Sequence, residues 1–220
     1  MARYVVTGAS RGIGLELARQ LGARGEDIIA AVRSPSPALL ETGCEVAEGV
    51  DVTDDSGVQR LVEALKGRRV DVLINNAGIL ISDTLGSVDF DDAMRQYAVN
   101  ALGPVWVTRA LLGQMGEGGK IGIVTSRVGS IGDNASGGNY GYRMSKAAAN
   151  MAAVNLSIEL KGRGIAVAAL HPGYVRTEMT GGHGSISAEA AARGLLLRLD
   201  ELTMETTGTF WHADGQQLPW

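Results

Sequence analysis

Residues 3–14 read Arg3-Tyr4-Val5-Val6-Thr7-Gly8-Ala9-Ser10-Arg11-Gly12-Ile13-Gly14, a short apolar run that opens onto three glycines. The run suits a buried strand. The glycines suit a tight turn whose backbone N–H groups approach an anion at the start of a helix, expected over residues 12–24. A glycine triplet alone marks no more than a strand–helix turn. Its place directly after an N-terminal strand favours a pyrophosphate cradle, because the helix dipole and free N–H groups meet the negative charge there. Ser10, Arg11 and Ile13 share the turn and are expected to line it with Gly8, Gly12 and Gly14. No Gly-Lys-Ser/Thr follows, which argues against a phosphate-hydrolysing loop.

Outward from this turn, apolar runs near residues 27–32, 45–50, 70–75, 119–125, 165–171 and 207–213 alternate with helical patterns. Val58, Leu61, Val62 and Leu65 follow helical spacing, as do Ala188, Ala191, Ala192 and Leu195. Such alternation predicts a parallel sheet covered on both faces. Right-handed crossovers then leave an α/β doubly wound Rossmann fold: seven parallel strands in a single domain over residues 1–220. In that fold ligands bind beyond the carboxyl ends of the strands, and the chemically distinctive residues gather there. Arg33 follows the second strand, Asp51 the third, Asn75 through Gly78 the fourth, Ser126 the fifth, and His171-Pro172-Gly173 the sixth.

Composition narrows the function. Thirty-one glycines are roughly twice ordinary usage and sit at the ends of apolar segments, as many tight turns require. A net charge of −4 gives no reason to expect nucleic acid or an anionic membrane as partner. Cys44 stands alone, which fits a reducing compartment. With neither a signal-peptide pattern nor a membrane-length apolar stretch, a cytoplasmic location is expected. His171, His183 and His212 are too scattered to form a metal site, and none is expected.

Tyr142 and Lys146 lie four apart in a segment, 141–161, that reads as helix, so their side chains share a face. An adjacent ammonium favours phenolate and is expected to lower the tyrosine pKa, making it a proton donor to a carbonyl or acceptor from an alcohol. The second strand ends Ala31-Val32-Arg33 without the carboxylate that commonly holds the ribose 2′-hydroxyl of NAD. Arg33 and Arg11 could instead bind a 2′-phosphate, so NADP(H) is expected over NAD(H).

In order along the chain stand TGASRGIG at 7–14, DVTD at 51–54, NNAG at 75–78, Asn100, Ser126, YRMSK at 142–146 and HPGYVRT at 171–177. Together they resemble the short-chain dehydrogenase/reductase family over essentially the whole chain. The run GGNYGYRMSK at 137–146 and the ending Asp214-Gly215 with Pro219-Trp220 are most similar to sniffer-type carbonyl reductases and C-factor-like proteins. The resemblance implies a catalytic set of Asn100, Ser126, Tyr142 and Lys146. Ser126 would hydrogen-bond the substrate carbonyl, Tyr142 would supply the proton, Lys146 would hold the nicotinamide ribose, and Asn100 would hold a water leading to Lys146. Asp51 and Val52 would flank the adenine, and Asn75, Asn76, Ala77 and Gly78 the adenosine side. Pro172 and Gly173 form the turn after which Val175 and Thr177 would meet the nicotinamide carboxamide. Tyr142 stands sixteen positions after Ser126, more than the family usually has.

Residues 178–186 are expected to form a short, flexible lid over a permissive site lined by Ile79, Tyr140, Tyr174 and Met179. The alanine-rich helix after Tyr142 suggests association into a homodimer or homotetramer. The resulting expectation is NADPH-dependent reduction of an aldehyde, ketone or quinone. Two alternatives stand beside it: oxidation of an alcohol, and a catalytically weak NADP-binding regulator.

Overall fold

The computed structural model describes residues 1–220. Its strands are β1 (Arg3–Thr7), β2 (Asp27–Val32), β3 (Glu45–Glu48), β4 (Val72–Asn75), β5 (Lys120–Val124), β6 (Ala166–His171), β7 (Val175–Arg176), β8 (Ile186–Ser187) and β9 (Thr209–His212). The helices are α1 (Gly12–Ala23), α2 (Pro37–Leu40), α3 (Asp55–Leu65), α4 (Phe90–Tyr97), α5 (Gly103–Leu111), α6 (Tyr140–Glu159) and α7 (Ala188–Glu201). Seven strands form one sheet in the order β3-β2-β1-β4-β5-β6-β9, with every pair parallel. The seven strands and the doubly wound α/β topology are those expected from sequence. Chain order reverses between β1 and β4, and it is at such a switch point that the strand ends open a crevice.

Side-chain alternation explains how one sheet holds two cores. Along β1, Val5 joins a core of 24 buried residues, while Tyr4 and Val6 join one of 23 on the opposite face. The first core receives Val58 and Leu61 of α3, Val107 and Leu111 of α5, and Ala149 and Ala153 of α6. The second receives Leu17 and Leu21 of α1 with Leu195 and Leu199 of α7. With both faces covered this evenly, strands must be apolar on both sides, which is why they read as unbroken hydrophobic runs.

Three local devices place the functional helix α6. Its N-terminus is capped from a distance: the Asp83 carboxylate accepts from the N–H groups of Tyr140 (2.5 Å) and Gly141 (3.0 Å). A carboxylate at a helix N-terminus also complements the dipole. Residues Ala98–Leu102 form a π-turn, closed by the Gly103 N–H donating to the Ala98 carbonyl; Asn100 within it is buried. Such single π-turns concentrate at functional sites. Finally, Gly129 lets the loop after β5 lie directly on α6. A Cβ there would stand 2.6 Å from the Lys146 carbonyl carbon and 2.9 Å from the Ala147 nitrogen, so loop or helix would have to move.

The segment 178–186, expected to be flexible, is folded on itself. Thr180 Oγ1 donates within the segment and caps the Thr177 N–H at 3.1 Å, while β7 and β8 pair across the segment's ends. Gly129→Ala is predicted to cost roughly 1–3 kcal/mol, the usual range for an overpacked site. Urea denaturation would measure it, and an unchanged midpoint would contradict the close approach.

Candidate active site

The carboxyl ends of the strands surround a cleft of about 1010 Å³. At its base, the β1 and β4 turns are tied together. Thr7 Oγ1 accepts from the N–H groups of Asn76 and Ala77, each at 3.0 Å, and the Asn76 amide donates to the carbonyls of Thr7 and Gly8. Gly14 completes this joint, for a Cβ on it would lie 2.3 Å from the Gly8 carbonyl oxygen and 2.6 Å from Asn76 Nδ2. The glycine turn is also linked to the loop after β2, because Ser10 Oγ donates to the Ser34 carbonyl and Ser36 Oγ to the Ser10 carbonyl, both at 2.6 Å.

Most residues expected to hold a cofactor line this cleft: Gly8, Ser10, Arg11, Gly12, Ile13 and Gly14 at one wall, Arg33, Asp51 and Val52 at the far end. Ala77, Gly78, Tyr142, Lys146, Pro172 and Thr177 line the near end. Three do not. Asn75 ends β4 with its side chain turned into the core, where its amide approaches Thr108 Oγ1 at 3.4 Å; its neighbour Asn76 faces the cleft instead. Val175 is buried in β7, and Gly173 belongs to a second cavity of about 340 Å³. Among the expected substrate residues, Ile79 and Met179 line the cleft, Tyr174 lines the second cavity, and Tyr140 lines neither.

Asp51 accepts from the Thr53 backbone and hydroxyl through Oδ1 (2.9 and 2.7 Å), which fixes its carboxylate at the rim. Arg33 is exposed and carries no ion pair. Arg11 instead reaches Glu178 at 2.7 Å, with both side chains 73% exposed. An ion pair so solvated contributes about 0–1 kcal/mol, so a phosphate can displace it readily.

Ser126, Tyr142 and Lys146 converge where β5 meets α6. Ser126 Oγ, which accepts from the Val128 N–H at 3.3 Å, lies near enough to the Tyr142 phenol to favour its ionised form. Ser130, the alternative serine, instead caps a turn by accepting from the Asp133 N–H. Lys146 is buried; its Nζ donates to the Val124 carbonyl at 3.0 Å and sits 5.7 Å from the Tyr142 ring centre. That single bond leaves two ammonium donors for a ligand. Asn100 brackets Ile79, accepting from its N–H and donating to its carbonyl at 2.9 Å each, and also donates to Ser145 Oγ on α6. One acceptor position remains on Oδ1, near Gly78 and Lys146.

The protonation states differ from those expected of spacing alone. Burial pushes the Tyr142 phenol up to about 12, with Ser126 opposing it. Burial also lowers the Lys146 ammonium to about 8. Loss of water around the phenol sets the direction of its shift. His171 is driven down to about 3, chiefly by burial and then by the adjacent His212 and Arg127.

Asp83 was not singled out from sequence, because it acts 57 residues from the helix it caps.

The protein belongs to the short-chain dehydrogenase family, whose model matches residues 3–185, and is an NAD(P)-dependent oxidoreductase. Over the full length of both chains it is 46% identical to 1-hydroxy-2-glutathionyl-2-methyl-3-butene dehydrogenase of Rhodococcus sp. (strain AD45). C-signal of Myxococcus xanthus is 44% identical over 154 residues, which cover 69% of this chain and 93% of that protein. In three dimensions it resembles an NADPH-bound carbonyl reductase from chicken fatty liver, with a TM-score of 0.90 at 28% identity, covering 100% of this chain and 99% of that one.

A half-buried histidine ties stability to pH. Because His171 has a folded pKa near 3 against 6.5 when free, the unfolded chain binds more protons between those values. Its contribution is complete above pH 6.5 and is lost as pH falls through that window. The denaturation midpoint of His171→Gln should accordingly fall less than that of wild type between pH 7 and pH 4.5. Parallel pH curves would remove the histidine from this account.

Proposed function

We propose that the protein reduces a small aldehyde, ketone or quinone with NADPH, Tyr142 acting as proton donor. The observation that carries this reading is the Ser126–Tyr142–Lys146 convergence at the inner end of the cleft. The cleft fits a dinucleotide on chemical grounds: glycines where side chains would collide, free backbone donors at the α1 terminus, and a cation at the far end. When bound, the dinucleotide supplies the hydride.

Each residue of the chain then has a task. The α1 N-terminus and glycine turn hold the pyrophosphate, and Asp51 and Val52 flank the adenine. Arg33, with Arg11 released from Glu178, binds a 2′-phosphate and so favours NADP(H) over NAD(H). Lys146 directs its two open donors toward ribose hydroxyls. Ser126 donates to the substrate oxygen, and Tyr142, neutral at physiological pH, delivers its proton to that oxygen as charge develops. Asn100 keeps Ile79 and α6 in register. The second reading, oxidation of an alcohol, is favoured by the Rhodococcus relative, whose name is that of a dehydrogenase of a hydroxy compound.

Tyr142→Phe should lower kcat with NADPH by roughly 10²–10⁴-fold, the usual worth of a general acid, while cofactor affinity stays near wild type. Retained turnover would remove Tyr142 from the chemistry. Reductive kcat/KM is predicted to hold on the acid side and decline above pH about 8, as Lys146 loses its proton. A rate profile flat through that region would contradict the assignment. Arg33→Ala should reduce the NADPH-over-NADH preference by about tenfold or more, since a hydrogen bond to a charged group contributes roughly 1.5–3 kcal/mol. Equal loss with both cofactors would argue against a 2′-phosphate contact.

A further inference from the structure

Beside the cleft lies the second cavity, about 340 Å³, walled by Ser126, Arg127, Asp133, Arg143, His171 and Tyr174. It meets the cleft at the Ser126–Tyr142 contact, since Ser126 lines the second cavity and Tyr142 the first. A compound in the second cavity can thus present an oxygen to Ser126 at the junction with the cleft, on the side from which Tyr142 faces it, while the cofactor cleft stays free.

The charges of this cavity are unequal. Arg127 is neutralised by Asp133, with which it forms an ion pair. His171 is held neutral by burial, and its Nδ1 has no partner. Arg143 pairs with no carboxylate. Its Nη2 donates to Ser136 Oγ at 2.7 Å and its Nη1, weakly, to the Val128 carbonyl at 3.3 Å, while its buried Nε has no acceptor. A guanidinium carries five N–H donors in a planar fork suited to a carboxylate. One uncompensated cation therefore faces a small-molecule cavity in a protein whose net charge is −4. Its two Nη groups meet only neutral acceptors, one of them at 3.3 Å, which leaves the charge of the fork to be met by an anion in the cavity.

We propose that Arg143 is the anion-binding element of the substrate cavity, so that the preferred carbonyl compound carries a carboxylate, its oxygen at Ser126 and Tyr142 and its anionic end at Arg143. This rests on the reductase reading above for the reacting end; the anion site itself does not.

The test uses matched pairs, 4-formylbenzoate with its methyl ester and 5-oxopentanoate with its methyl ester, assayed with NADPH. Wild type should favour the acids, and in Arg143→Met the acid-to-ester ratio of kcat/KM should fall about tenfold or more, with partial recovery in Arg143→Lys. A ratio near one in wild type, or one unchanged by Arg143→Met, would overturn the proposal. Calorimetric titration of benzoate into the NADPH-saturated protein separates the two readings. If neither aldehyde is turned over but benzoate binds wild type and not Arg143→Met, the anion site stands and the reductase reading falls. Benzoate binding that ignores Arg143, or is absent, sinks the anion site.

Discussion

The contact between the Lys146 ammonium and the Val124 carbonyl joins the end of β5 to α6, and the rest of the site is arranged around it. A cation this deeply buried is costly with one hydrogen bond. The fold tolerates it because α6 is anchored at several points: Asp83 at its N-terminus, Ser145 to Asn100, Gly129 against its backbone, and Ala149 and Ala153 on the sheet. Small residues on the inner side of α6 let the helix sit low enough for Lys146 to reach the strand end. The two open donors on Nζ are then part of the design, an unsatisfied charge that a ribose can satisfy.

The protonation states follow from the same burial. Burial raises the Tyr142 phenol and lowers the Lys146 ammonium, so loss of water favours the neutral form of each. A neutral phenol suits a proton donor in the proposed reductive direction. Buried side chains here are positioned by backbone partners more than by one another, which keeps their geometry independent of side-chain freedom elsewhere.

Much of this was legible in the sequence, and the parts that were not share a cause. The seven strands could be read because a sheet covered on both faces demands continuous apolar runs, and the catalytic helix because Tyr142 and Lys146 fall on one face. The β7–β8 pair escaped notice since two-residue strands carry no periodicity. Asn75 was mistaken for a cleft residue because a motif names neighbours without saying which face each takes. The pKa shifts depend on packing from distant segments, as does the Asp83 cap, and no local spacing encodes them.

The Arg11–Glu178 pair joins the glycine turn to the segment after β6 across the mouth of the cleft. One end belongs to the glycine wall of the cleft, the other to the segment beside Met179. Because both side chains are 73% exposed, the pair spans the mouth without locking it, and either partner can turn to another ion at a cost of about 0–1 kcal/mol.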